Sequence, residues 1–147
     1  MDGKLSDKYA EFEALNPFFE IILKGVKGLV DGKHFFETVA DDALFEFRYE
    51  ISGWPTEIRG RKQLMEAFSG YGDSIELRQG DHLVVHRCQD ERVTILEYQV
   101  HGRVLATGGR YDNRFISVIT IVDRKIVHWV DYMDSLAVWK VFNPDRS

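Results

Sequence analysis

RYDNRFISVITIV (110–122), DR (123–124) and KIVHWVDYMD (125–134) form the stretch whose reading decides the fold. Both long segments are rich in β-branched and aromatic residues, and two residues between them is the length of a tight hairpin. Successive side chains of a strand point to opposite faces, so polarity tells which face is inner. In 125–134, Val127, Trp129, Asp131 and Met133 share one face; Ile126, His128, Val130 and Tyr132 share the other. In 110–122, Tyr111, Asn113, Phe115, Ser117 and Ile119 oppose Asp112, Arg114, Ile116 and Val118, and the Phe115 set is taken as inner. One carboxylate, Asp131, thus falls on an aromatic face. Either it sits in a pocket, or it caps the sheet or pairs with Arg110 or Arg114.

Further strands lie upstream. IELRQGDHLVVHRC (75–88) and RVTILEYQVHG (92–102) flank a hairpin-sized QDE at 89–91, and Gly80 suggests a bulge. Thr94, Leu96, Tyr98 and Val100 are the inward set of the second. ALFEFRYEIS (43–52) alternates Phe45, Phe47, Tyr49 and Ile51 against Glu46, Arg48 and Glu50, a half-buried strand. Before it, residues 5–15 read as a short amphipathic helix, and Asn16-Pro17 as an N-cap followed by proline at the first helical position. FFEIILKGVKGLV has mixed helical spacing, and KHFFETVADD reads as a second helical piece ending near Asp42. GWP at 53–55 is a turn, a short helix spans about Gly60 to Ser69, and SLAVWKVF (135–142) is a last helical turn. The order predicts an α+β fold: a curved antiparallel sheet wrapped around N-terminal helices, a cone whose wide end is a hydrophobic cavity.

The cavity lining expected from these faces is Phe45, Phe47, Tyr49, Leu96, Tyr98, Val100, Asn113, Phe115, Ser117, Trp129, Asp131 and Met133, with Trp54 as a lid. Its polar groups are few: the hydroxyls of Tyr49, Tyr98 and Ser117, the Asn113 amide and one carboxylate. The outer face carrying Ile126, Val130 and Tyr132 is too apolar for plain solvent, and a second copy of the chain is the simplest cover. A homodimer is therefore expected.

The 147 residues suffice for one domain, and no linker or repeat divides 1–147. Ten Phe, six Tyr and three Trp suit a thick core or an aromatic cavity. A net charge of −5 without a Lys/Arg run argues against nucleic acid. No apolar run is long enough for a bilayer, the charged N-terminus lacks the core of a secretory signal, and Cys88 has no disulfide partner, so a cytoplasmic protein is expected. His82 and His86 would stand ~13 Å apart at ~3.3 Å per strand residue, too far to share an ion, and no other metal spacing occurs. Neither metal nor cofactor is expected; Cys88 reads as a buried or edge thiol.

TVADDALFEF, EIRGRKQLMEAF and YDNRFISVITIVDRKIVHWVDYMD resemble the SnoaL-like branch of the nuclear transport factor 2 (cystatin-like) superfamily. The resemblance covers about residues 17–142, with 1–15 as an N-terminal extension. That superfamily holds ketosteroid isomerases, limonene epoxide hydrolases, polyketide cyclases, phenazine-biosynthesis proteins and plain binding modules. Asp131 matches the last-strand aspartate of the epoxide hydrolases, but their Arg-x-Asp pair falls near Tyr98 and Val100, and their water-holding tyrosine and asparagine fall on Phe45 and Phe47. The ketosteroid isomerase base falls on Phe47 and its oxyanion-hole acid near Ser117. Asp131 does fit the cyclase and phenazine branches, where an acid near the end of the sheet is proposed to act on the substrate.

The resemblance implies a cofactor-independent isomerase, cyclase or dehydratase-type enzyme acting on a cyclic, apolar small molecule. Asp131 would be the acid or base, and Tyr98 and Asn113 would hold a carbonyl or phenol oxygen. The alternative is a non-catalytic module of the same fold that holds a ligand or a partner protein.

Overall fold

The structure, a computed structural model, describes residues 8–143. Part of the expected helix at 5–15 lies outside them; within them, Ala10–Leu15 is a 3-10 turn that runs directly into helix α1, Asn16–Gly25. Asn16 is consequently inside the helix rather than capping it, and Pro17 occupies the first turn, where its missing N–H costs nothing. The second expected helical piece is a single 3-10 turn, Phe35–Thr38, closed by a hydrogen bond from Thr38 Oγ1 to the Phe35 carbonyl. Strand β1, Val39–Phe47, starts immediately after it, four residues earlier than the alternation predicts, and stops before Tyr49.

The remaining elements lie close to where the sequence places them, except the short strand β2, which nothing in the sequence pattern announced. They are β2 (Glu57–Arg59), α2 (Arg61–Phe68), β3 (Ile75–Arg87), β4 (Val93–Val104), β5 (Arg110–Val122), β6 (Lys125–Met133) and α3 (Ser135–Phe142). The last is a two-turn helix whose first turn is capped by Asp134, which accepts from the Leu136 amide.

The six strands form one curved, unclosed sheet in the order β2-β1-β6-β5-β4-β3. Its pairs are antiparallel except β1 with β6, which run parallel and place Phe45 beside Trp129 and Phe47 beside Asp131. Asp123 and Arg124 both have positive φ, as a two-residue type I′ hairpin requires. Neither is glycine. Arg124 is held there by its ion pair to Asp31 and hydrogen bonds to the Gly28 and Val30 carbonyls.

The inner faces agree with the alternation on β4 and β5, and at Trp129 and Asp131 on β6. At the start of β6 they do not: Ile126 is buried and Val127 only half-buried, because the β5–β6 register slips between Thr120 and Ile121. The register of β3 against β4 breaks on both sides of Gly80, as a bulge requires.

Helix α1 lies across the inner face. It comes close because two glycines leave room: a Cβ on Gly25 would sit 2.7 Å from Leu96, and one on Gly80 3.0 Å from the Pro17 carbonyl. Phe18, Phe19, Phe35, Phe36 and Trp129 interlock beneath it in edge and stacked contacts, each pair adding about 0.5–1.5 kcal/mol beyond area burial. No helix of the described residues is long and apolar enough to cross a membrane.

The outer face carries exposed Ile116 and Tyr132 among pairs of histidine and carboxylate. His101 bridges Asp81 and Asp112, and His128 meets Glu46.

Candidate active site

The sheet, α1, α2 and α3 enclose a cavity of about 310 Å³. Phe45 and Phe47 enter from β1, Val100 from β4, Phe115 from β5, and Trp129, Asp131 and Met133 from β6. The β1–β2 connection supplies Tyr49 and Trp54. Asp131 reaches this wall because the parallel partner of its residue is Phe47, whose neighbours on the inner face are aromatic.

Asp131 is 5 % exposed and accepts three hydrogen bonds. Ser117 Oγ donates to Oδ1 at 2.8 Å and Trp129 Nε1 to the same oxygen at 3.0 Å. Tyr49 OH donates to Oδ2 at 2.9 Å. Burial pushes the carboxyl from its ordinary 3.8 up to about 6, against the downward pull of the three donors. None of the described cations pairs with it: Arg110 bonds Asp112 and Arg114 bonds Asp134. The carboxylate is therefore neither a sheet-capping residue nor half of an ion pair. Burial, then the Asp131 charge, lifts the Tyr49 phenol far above its usual range, so it remains a donor.

Four residues expected on the cavity wall stand behind it instead. Leu96, wholly buried, packs against α1 at Gly25. Ser117 faces Asp131 Oδ1, and Tyr98 OH meets Ser117 Oγ at 2.8 Å, so Tyr98 touches the carboxylate only through Ser117. Asn113 is bonded elsewhere. Its Nδ2 donates to Tyr111 OH at 2.7 Å, and its Oδ1 accepts from the amides of Arg114 and Asp134. The phenol that bonds Asp131 directly is that of Tyr49, placed by a loop that alternation does not describe.

Two tyrosines on the wall were not in the expected lining. Tyr111 shares the inward set of Phe115, so alternation contained its signal; Tyr71 lies in the turn Tyr71–Asp73 after α2 and gave none. Val138 and Phe142 of α3 also line the cavity.

Among the described residues, Trp54 Nε1 is the one buried side-chain nitrogen or oxygen without a hydrogen-bond partner. Such an orphan costs about 1–3 kcal/mol. Stacking on Phe68 and an edge contact with Phe47 offset it. No three His, Cys, Asp or Glu side chains of the described residues converge as a metal site. Cys88 is a half-buried free thiol.

A family model for the SnoaL-like domain matches residues 27–129. The uncharacterized protein YesE of Bacillus subtilis is 34% identical over 112 residues, 76% of each chain. A Bacillus subtilis protein solved as a candidate isomerase is 32% identical with a TM-score of 0.72, over 89% of this chain and 91% of its own. A phenazine biosynthesis-related protein of Pseudomonas aeruginosa superposes with a TM-score of 0.65 at 19% identity, over 91% of this chain and 83% of its own, and shows the shared fold.

Proposed function

From the premise that the chain belongs to the SnoaL-like domain family, within the nuclear transport factor 2-like fold, we propose a cofactor-independent enzyme that moves protons on a cyclic, apolar small molecule. Asp131 is its general base and acid. The observation that carries this reading is a buried carboxylate on a cavity wall, held by three neutral donors and, among the described residues, by no cation. An acid with a pKa near 6 is mostly ionised at pH 7 yet returns a proton readily, the condition for general acid–base work.

The two oxygens are not equivalent. Oδ1 accepts two hydrogen bonds and is fully occupied, whereas Oδ2 accepts one, from Tyr49, and keeps a lone pair for the substrate. In the reaction, Oδ2 takes a proton from a carbon beside a carbonyl, and the C–H electron pair flows onto the carbonyl oxygen. The protonated Asp131 then returns the proton to another carbon, giving isomerisation, or to a departing hydroxyl, giving dehydration. For ring closure, the enolate carbon attacks a second carbonyl and the carboxyl protonates the new alkoxide. The description of the Bacillus subtilis relative as a candidate isomerase favours the first outcome.

The test is deuterium incorporation beside the carbonyl of 2-tetralone, followed by NMR in D₂O. The wild-type protein accelerates exchange, and Asp131→Asn removes at least about 100-fold of that acceleration. Equal exchange in both proteins would remove Asp131 from the chemistry and leave a ligand-binding module. The reading also takes residues 1–147 as one domain and the exposed Ile116 and Tyr132 as part of a homodimer contact on the outer sheet face.

A further inference from the structure

The cavity has a second polar pole, which the Asp131 chemistry does not use. Asn113 sets it. Its Oδ1 accepts two backbone amides, at 2.8 Å from Arg114 and 3.2 Å from Asp134. An amide oxygen fixed in that way leaves Nδ2 facing Tyr111, so the Tyr111 oxygen is the acceptor of the 2.7 Å bond between them. The Tyr71 phenol stands against the same hydroxyl. Two phenols in contact use one O–H proton between them and leave the other free. Both rings line the cavity, and the protein offers that second proton no acceptor among the described hydrogen bonds.

We propose that the Tyr71–Tyr111 pair, oriented by Asn113, is the subsite that donates a hydrogen bond to the carbonyl oxygen of the ligand, and that the substrate class is therefore cyclic apolar ketones. The inference rests on the reading of this cavity as a proton-transfer site. It adds the group that receives the charge Asp131 creates: as the C–H electron pair moves onto the carbonyl, the new oxyanion meets a preorganised phenol proton. Both phenols stay protonated at neutral pH. Burial first, and the Asp131 charge through space, push Tyr111 up to about 12, although Asn113 and Tyr71 pull it down; burial likewise lifts Tyr71. Tyr71, Tyr111 and Asp131 line one cavity, which places base and donor in one neighbourhood. Asn113 touches no ligand and is a positioning residue.

The experiment compares 2-tetralone labelled with ¹³C at its carbonyl with naphthalene, which has the same bicyclic shape and no oxygen. The wild-type protein binds both, and the bound carbonyl resonance moves downfield. Tyr111→Phe and Tyr71→Phe bind naphthalene as before, bind 2-tetralone about tenfold more weakly, and lose most of the downfield movement. Asn113→Asp keeps the backbone-facing oxygen but turns the donor into an acceptor. Tyr111 then donates to it, and the carbonyl movement falls while naphthalene binding persists. Unchanged 2-tetralone affinity and carbonyl shift in these variants overturn the donor subsite alone, since Asp131→Asn is still read by deuterium exchange. Failure of the wild-type protein to bind either compound overturns the cavity as the ligand site, and with it both readings.

Discussion

A carboxyl group that moves from 3.8 in the free side chain to about 6 in the fold binds its proton more tightly when folded than when unfolded. Its contribution to stability is complete below pH 3.8 and is lost as pH rises through 6. By pH 8 the loss amounts to about 3 kcal/mol. Asp131→Asn cannot titrate, and its amide suits the site: the oxygen accepts from Ser117 and Trp129, and the nitrogen donates to the Tyr49 oxygen. Urea unfolding should therefore show the variant gaining on the wild-type protein by about 3 kcal/mol between pH 3.5 and pH 8. A difference that stays constant over that range would contradict the raised carboxyl. Tyr49→Phe acts on the same group in the opposite sense to a helpful donor. Losing a hydrogen bond to the charged form raises the carboxyl further, so the midpoint of the pH–rate profile for 2-tetralone exchange should climb by about one unit. No movement would mean that the 2.9 Å contact does not govern the base.

At the scale of elements, β3 and β4 approach so closely at Gly102 that a Cβ there would lie 2.1 Å from the Glu76 carbonyl oxygen. Backbone on both sides leaves nothing flexible to move. Gly102→Ala should destabilise the protein by more than about 3 kcal/mol in urea unfolding, and a loss below 1 kcal/mol would show that the strands can part without cost. The elements themselves were largely legible. β4, β5 and β6 alternate because one face is core and the other is not, and polarity therefore placed Tyr98, Asn113, Ser117, Trp129 and Asp131 inward correctly. What alternation could not say is which inward residues reach the cavity, because α1 covers part of the inner face and hides Leu96 beneath it. Nor could it find Tyr49's role. Tyr49 continues the alternation on paper, yet β1 ends at Phe47, and the side chain reaches Asp131 from a connection held by the Arg48 amide on the Asp131 carbonyl. The parallel pairing of β1 with β6 was invisible for a related reason: it joins segments remote in sequence, and neither segment alone encodes its direction. KHFFETVADD misled because Phe35 and Phe36 stand four and three residues before Val39, the spacing of a helix face, while Thr38 and Val39 are β-branched and turn the chain into strand.

For the molecule as a whole, the proposed dimer is the property most directly tested. The protomer has a mass of 17.1 kDa. Analytical ultracentrifugation should give twice that value, and Ile116→Asp with Tyr132→Asp should return the protein to the protomer mass with its fold intact; a wild-type protein sedimenting as one protomer would refute the contact. The β1–β6 pairing bears on something else, the order of events during synthesis. Tyr49 and Asp131 lie 82 positions apart. At 5–20 residues per second, a ribosome needs roughly 4–16 s to travel from one to the other. Throughout that interval the aromatic edge of β1 has no parallel neighbour in the nascent chain, while β3, β4 and β5 can already pair in succession. Nascent chains of this protein should therefore be best substrates for holding chaperones after β1 has emerged and before β6 has, and the pocket should be the last part of the molecule to come into being.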